Sequence, residues 1–349
     1  MVMETPQTQR ASATKALCPS NLSIQDPKTQ RALERALNEA ESGLRFASPR
    51  SGRILQQAKQ LVAEGVLEEV YPGYYARPSY LAPLSPRARM YHLIRSLVHR
   101  HPSWTFCLYS AAVVHGLQVP YALLTKAHIG VDKSSNRRST SPCYVHHALP
   151  DLSSTVINGI RVTPLEATIF DCLRHATFRQ GLAIVDSSLH HQLTTIERLE
   201  AYVDEHSRYR HGIARVRQTL HYADGRSANG GESVVRAAII EIGFIVPELQ
   251  VEVPDPLNPN VTITVDFYWR LPDGRIIILE LDGLQKYQRD DHGKALAIDE
   301  TQQILADERR RESHLNLTGA TVVRLSYREA TDDLKLERAL STAGVPKRL

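Results

Sequence analysis

The run Ile276-Ile277-Ile278-Leu279-Glu280-Leu281-Asp282-Gly283 attaches two carboxylates directly to an unbroken aliphatic segment, and few folds tolerate that. Four consecutive aliphatic residues mark a strand buried on both faces. The preceding run, Val261 to Trp269, has the β-branched and aromatic content of a second strand and carries Asp266. Between them, Leu271-Pro272-Asp273-Gly274 is a turn signal, because Pro presets φ and Gly supplies a positive φ. A hairpin centred near Asp273 sets Asp266 opposite Glu280. Glu280 and Asp282, two apart on one strand, share a face. Solvated acids at an exposed hairpin end are the plainer alternative, but a solvated face would alternate with apolar residues rather than follow an apolar run. Acids on a buried strand are costly unless paired or metal-bound, and a divalent cation is the usual reason to gather three of them. Phosphodiester hydrolysis uses this geometry, with carboxylate oxygens holding Mg²⁺ or Mn²⁺.

A chain of 349 residues is long enough for two or three domains, each with its own core. The net charge of +4 permits a nucleic-acid partner without demanding one. No apolar stretch approaches membrane-spanning length, and the polar residues 1–15 lack the apolar segment of a signal peptide. Cys18, Cys107, Cys143 and Cys172 are too far apart for a zinc motif or a disulfide framework. A cytoplasmic protein without membrane association is the expectation.

Residues 1–29 lack periodicity and read as a disordered tail. Residues 31–41 are helix-forming. A second helix is expected to open at Ser48-Pro49 and stop at Gly65, burying Ile54, Leu55, Ala58, Leu61 and Val62 while exposing Arg50, Arg53 and Lys59. Val66 to Arg77 then reads as strand, Pro-Gly turn and strand. A helix closed by Gly and followed by a short hairpin is the layout of a winged helix-turn-helix over 30–82, with Arg50, Arg53, Lys59 and the wing residue Arg77 facing phosphate. Glu64, Glu68 and Glu69 dilute that charge.

Residues 83–225 read as a mixed α/β module with a helical connector. Thr163-Pro164-Leu165-Glu166 and Thr194-Thr195-Ile196-Glu197 have the spacing of capping boxes. Lys126, Lys133, Arg137 and Arg138 fall in a polar loop. His115, His146, His147, His190 and His191 do not suggest a metal site, since the adjacent pairs diverge and no carboxylate is placed to join them. Residues 221–231 form the best linker to a last domain at 226–349, whose segment 307–317 is an amphipathic helix bearing Arg309, Arg310 and Arg311, either a salt-bridged surface helix or, with Arg311 as the DNA-binding residue, a grip on backbone phosphate beside the acids. The fold class expected is α/β multidomain.

Two resemblances extend this reading. The segment from about Gly230 to Ala330 resembles the very-short-patch-repair-like branch of the PD-(D/E)XK nuclease superfamily. It carries Glu232 at a helix start, then Pro247-Glu248-Leu249-Gln250-Val251, Val265-Asp266-Phe267, Glu280-Leu281-Asp282-Gly283 and Val323-Arg324-Leu325. The resemblance implies metal ligation by Asp266, Glu280 and Asp282, with Glu232 as a fourth acid and Arg311 part of the fold's signature. It departs from the superfamily where Glu-x-Lys is replaced by Glu280-x-Asp282, leaving Lys286 to supply positive charge to the transition state. Residues of about 40–190 resemble the AbiEi-type antitoxin and transcriptional-regulator family, through Tyr71-Pro72-Gly73-Tyr74-Tyr75, Ser110-Ala111-Ala112 with His115-Gly116, and Gly159 to Pro164. That resemblance implies operator binding and, in some members, opposition to a nucleotidyltransferase-like toxin.

Together these readings give a DNA-binding protein, compatible with a homodimer, with two main functions open and a protein-interaction scaffold that sequesters a toxin as a third. One is a Mg²⁺-dependent endonuclease using Asp266, Glu280, Asp282, Glu232 and Lys286. The other is a non-catalytic repressor or antitoxin that keeps the nuclease fold, which the missing lysine favours.

Overall fold

The computed structural model describes residues 26–50, 52–132, 141–282, 309–311 and 313–348. Over these the chain is a mixed α/β protein with separate sheets. Helices α1 (Pro27–Ser42) and α2 (Gly52–Ala63) lead into the hairpin β1 (Glu68–Tyr71) and β2 (Tyr74–Ala76). Asp26 caps helix α1, its carboxylate accepting from Lys28 N, so the helix begins within the end of the stretch 1–29 read as a tail. Helix α2 begins four residues beyond Ser48, so Arg50 precedes the helix instead of lying on its polar face. Gly65, with φ +74°, closes it as its sequence position predicts. Leu33, Leu37, Ala58, Leu67 and Tyr75 form a small core between the helices and the hairpin.

Next come α3 (Pro78–Leu81), α4 (Pro86–Arg100), β3 (Thr105–Phe106), α5 (Leu108–Val114), β4 (Ala127–Asp132), β5 (Tyr144–Leu149), β6 (Thr155–Ile157) and β7 (Ile160–Val162). The five strands from β3 onward make a mixed sheet in the order β5-β4-β3-β7-β6, with β3 and β4 antiparallel and β4 and β5 parallel. Helices α6 (Leu165–His175), α7 (Phe178–His190), α8 (Ile196–His206) and α9 (Ile213–His221) follow. Neither anticipated capping box forms. Thr163 Oγ1 bonds Thr168 Oγ1 at 2.7 Å and leaves Pro164 at the start of α6. Thr195, not Thr194, caps α8, because Thr194 Oγ1 donates to Glu166. One cluster of buried side chains runs from Phe46 and Tyr74 through Leu93 and Phe170 to Ile240, crossing the expected divisions near residues 82 and 225.

The last unit comprises α10 (Gly230–Glu241), β8 (Glu248–Asp255), β9 (Asn258–Arg270), β10 (Ile276–Asp282), β11 (Thr321–Ser326), α11 (Tyr327–Ala330) and α12 (Asp333–Ala343). Residues 309–311 and 313–317 are also helical. Its four strands lie in the order β11-β10-β9-β8, antiparallel except for the parallel β10–β11 pair. Strand β10 is central and covered on both faces. Ile277 and Leu279 pack toward α10 and α12 with Val235, Ile239, Leu336 and Leu340, while Ile278 packs on the other side with Tyr268 and Leu315. The β9–β10 turn closes with Gly274 at φ +86° and Leu271 N donating to Arg275 O.

The linker expected at 221–231 is anchored rather than loose. Arg236 of α10 pairs with Asp186 of α7 at 2.6 Å, with both side chains almost fully buried. Asp224 N also donates to Asp186 Oδ1 at 2.8 Å, which ties the connector to the same carboxylate.

Candidate functional site

The strand registers align one polar row across the whole C-terminal sheet. Leu249 pairs with Phe267 and Val251 with Val265, so Gln250 of β8 lies opposite Asp266 of β9. Leu279 pairs with Phe267, so Asp266 in turn lies opposite Glu280 of β10. Glu280 pairs with Arg324 of β11. The row sits where the apolar part of the sheet ends, as the Ile276–Leu279 run predicts.

Each acid is held individually. Asp266 Oδ2 accepts from Leu281 N at 2.9 Å. Gln250 Nε2 donates to Asp266 Oδ1 at 3.3 Å and to Glu232 Oε2 at 3.1 Å. Gln250 has φ +51°, a left-handed conformation uncommon for a non-glycine residue and rarer still within a strand. Glu232 comes from the first turn of α10, where it accepts from Ala228 N at 2.8 Å and Asn229 Nδ2 at 2.6 Å. Gln250 thus links the helix-borne acid to the strand-borne pair. The helix opens here because Asn229 caps it, accepting from Gly231 N and Glu232 N.

Glu280 is 5% exposed. Burial first, and then the facing Asp266 carboxylate, push its pKa up to about 7, against the lowering pull of Arg311 and Arg324. Arg311 Nη2 lies 3.1 Å from Glu280 Oε2 and also donates to the carbonyl of Thr264. Asp282 turns toward Arg324, with Oδ1 3.6 Å from Nη1. The acids are therefore not alone, since two guanidinium groups stand against the row.

As a cation site, the cluster has the right chemistry in its hard carboxylate oxygens and in the mutual repulsion that raises Glu280. Asp266 and Glu280 form its centre. Among the described residues, no three His, Cys, Asp or Glu side chains already meet in metal-ligand geometry. Asp282 and Glu232 would have to turn inward from Arg324 and Gln250. Lys286, the expected transition-state cation, lies outside the described residues, as do Lys133, Arg137 and Arg138.

The expected DNA-facing residues divide. Arg50 and Lys59 line one groove of about 320 Å³ between α2 and the hairpin, together with Arg100. Arg53 lies beyond it with an 82% exposed side chain, 3.8 Å from Asp26. Arg77 turns to α1, where it pairs with Glu41 at 2.5 Å and bonds Asn38. Glu69, in the same groove, accepts from Gly73 N at the hairpin tip.

Sequence alone marks neither Gln250 nor Arg324 as a member of the site. A register count finds Arg324 once β11 is known to pair with β10, but that parallel pairing spans a long intervening segment. Nothing local signals the positive φ of Gln250.

No known family profile matches the chain. Over 170 residues it is 28% identical to the uncharacterized protein MT2308 of Mycobacterium tuberculosis, and equally to the uncharacterized protein Rv2248 of a second strain. The match covers 49% of this chain and 59% of each relative, so the chain spans about three fifths of the length of these curated relatives. No helix among the described residues is long and apolar enough to cross a membrane.

Proposed function

We propose that this is a DNA-interacting protein whose C-terminal unit, 226–349, is a Mg²⁺- or Mn²⁺-dependent endonuclease-like domain of the PD-(D/E)XK type. An N-terminal winged helix, 30–82, joined through an α/β module and connector, 83–225, would bring it to duplex DNA. One observation carries the reading: Asp266 and Glu280 oppose each other at the end of a buried strand, with the Glu280 carboxyl pushed up to about 7 by burial and by that neighbour. A purely structural sheet has no use for such a pair. Asp266 and Glu280 would hold the cation, with Asp282 at the strand end and Glu232 reached through Gln250. When bound, the cation would polarise a phosphate and acidify a water. Arg311 and Arg324 would offset charge developing on the phosphate, in the place where the Glu-x-Lys lysine is missing. Arg50, Lys59 and Arg100 would grip the backbone of the duplex.

A second reading rests on the same two arginines. They pair with Glu280 and Asp282, which suits a non-catalytic repressor or antitoxin that keeps the fold as a binding module. Its partner would be a nucleotidyltransferase-like toxin.

The deciding experiment incubates purified protein with supercoiled plasmid, with and without Mg²⁺ or Mn²⁺, beside the Glu280→Ala variant. Nicking that requires both metal and Glu280 is expected. Retained duplex binding with no metal-dependent nicking at any metal concentration, and no calorimetric Mn²⁺ binding, would select the regulator.

A further inference from the structure

A second cluster of titratable groups lies in the middle module, away from the acidic row. It lines a cleft of about 390 Å³ between β5, the segment after it, and helices α6 and α8. From the sheet side, His147 Nε2 sits 2.8 Å from His128 Nδ1, so one ring donates to the other. His146, the neighbouring strand residue, turns its ring to Trp104 at 5.7 Å. From α6 come Asp171, Arg174 and His175; from α8, Tyr202 and His206, whose rings stack at 4.0 Å.

The two helix histidines are oriented alike. His175 Nδ1 lies 2.8 Å from the Asp171 carbonyl, and His206 Nδ1 lies 3.0 Å from the Tyr202 carbonyl. A carbonyl only accepts, so Nδ1 carries the proton in both rings, and Nε2 is left as an acceptor that can donate to an anion only once the ring is protonated. The cleft's acids are largely occupied. Asp171 pairs with Arg174 at 2.9 Å, and Asp151, exposed at the rim, accepts from Ser153 N at 2.9 Å. Arg174 Nε is used by the His211 carbonyl. Arg210, half-buried on the cleft wall, makes no ion pair with any described residue. One uncommitted guanidinium, a second held in place and three imidazoles that become donors on protonation suit a compact, multiply charged oxyanion.

We propose that this cleft is a binding site for a phosphate monoester, recognised by Arg210 and Arg174 with His147, His175 and His206. The monoester is favoured over a backbone diester on two grounds. The cleft is concave and of mononucleotide size, whereas a duplex backbone needs an open track. A monoester also carries nearly two negative charges near neutral pH, enough to draw a proton onto an imidazole, while a diester carries one. His147 is the group to take that proton. Burial, and then His175, hold its pKa below the ordinary histidine value against the opposing pull of Asp171, so it is neutral in the free protein at pH 7. His128 behind it, pushed down to about 4, stays neutral as its hydrogen-bond partner. The stacked Tyr202 and His206 rings offer a flat face for an attached base.

The phosphate has two natural sources, a free mononucleotide or the 5′ end of a nucleic acid. The test is calorimetry on the full chain in EDTA at pH 7, using AMP, adenosine and a 5′-phosphorylated single-stranded oligonucleotide with its unphosphorylated counterpart. Each is run in two buffers of different ionisation enthalpy. Saturable binding of the phosphorylated ligands but not their unphosphorylated partners is expected, with net proton uptake and at least tenfold weakening in Arg210→Ala. AMP binding would identify a mononucleotide site; binding of the phosphorylated oligonucleotide alone would identify a strand end. Arg210 is in the loop between α8 and α9, and circular dichroism would confirm that the variant folds. Should it misfold, His206→Gln with the same ligands gives the same readout. Equal binding of adenosine and AMP, no binding of either phosphate ligand, or an unchanged affinity in the folded variant would overturn the proposal. EDTA separates this result from the acidic row, whose failure to bind metal would leave it untouched.

Discussion

Glu280 is where the C-terminal sheet gives up stability to keep a charge. The aliphatic residues before it on β10, Ile277 to Leu279, are fully buried, and the hydrogen-bonded Asp266 faces it across the ladder. The folded protein therefore binds the Glu280 proton more tightly than the unfolded chain does. Stability from this group is fully present below the unfolded pKa of about 4.5 and is lost as pH rises through the folded value of about 7. At 1.36 kcal/mol per pKa unit, the ionised side chain costs up to about 3 kcal/mol at pH 8. In chelator-treated buffer, Glu280→Gln should accordingly be more stable than the native protein at pH 8, with the difference shrinking as pH falls and vanishing below about pH 4. Urea unfolding at four pH values checks this. A glutamine variant that is less stable at pH 8 would mean that the Arg311 pair outweighs desolvation. The same variant should lose calorimetric Mn²⁺ binding, since the amide cannot supply an anionic oxygen.

Among the elements, α10 has two duties. Its N-terminal turn delivers Glu232 to Gln250, and its middle carries Arg236 into the buried pair with Asp186 of α7. The acidic row and the helical connector are thereby fixed to the same rigid rod. Burial raises the pKa of Asp186 even with Arg236 beside it, and the carboxylate is further held by Asp224 N. Removing one partner of such a pair strands the other in an apolar setting. Asp186→Ala should cost about 3–5 kcal/mol in chemical unfolding. A double replacement of Asp186 and Arg236 by apolar residues of similar volume should recover much of that stability, which distinguishes an unpaired charge from a general packing defect. Strand β8 contributes differently, through the strained backbone of Gln250, which lets one amide reach two acids.

For the whole molecule, the candidate DNA groove and the acidic row belong to opposite ends of the chain, joined by one continuous core from Phe46 to Ile240. The proposed binding and the proposed chemistry can thus be tested by separate mutations. Replacing Arg50 and Lys59 by Ala should weaken duplex binding and lower the slope of log K against log salt by about two, one for each phosphate no longer neutralised. Filter binding at several salt concentrations measures this. An unchanged slope would remove the groove from the interface. Arg77→Ala should act otherwise, loosening the hairpin from α1 by breaking its pair with Glu41, with little effect on the salt slope.

Much of the acidic site follows from local sequence. The aliphatic run Ile276–Leu279, the Leu271–Gly274 turn and period-two alternation suffice to pair Asp266 with Glu280, because an antiparallel hairpin has its register set by its turn. Helix α2's stop at Gly65 and the Pro-Gly hairpin are legible for the same reason, as φ-setting residues act locally. Capping was less legible: Thr163 and Thr194 found partners distant in sequence or in a neighbouring turn, and a side-chain hydroxyl bonds whichever acceptor the fold supplies. The roles of Gln250, Arg311 and Arg324 were decided by tertiary structure alone. Arg324 faces Glu280 only because β11 returns parallel to β10 after a long excursion, and Gln250 joins Glu232 only because α10 packs beneath the sheet. So too with the histidines: adjacent in sequence, His146 and His147 diverge as strand neighbours must, and His147 finds His128 and the cleft across a parallel pair. Sequence by itself determined which strand would carry charge, since burial and turn chemistry are short-range. What that charge meets depends on contacts between segments far apart in the chain, which only the packed fold brings within hydrogen-bonding distance.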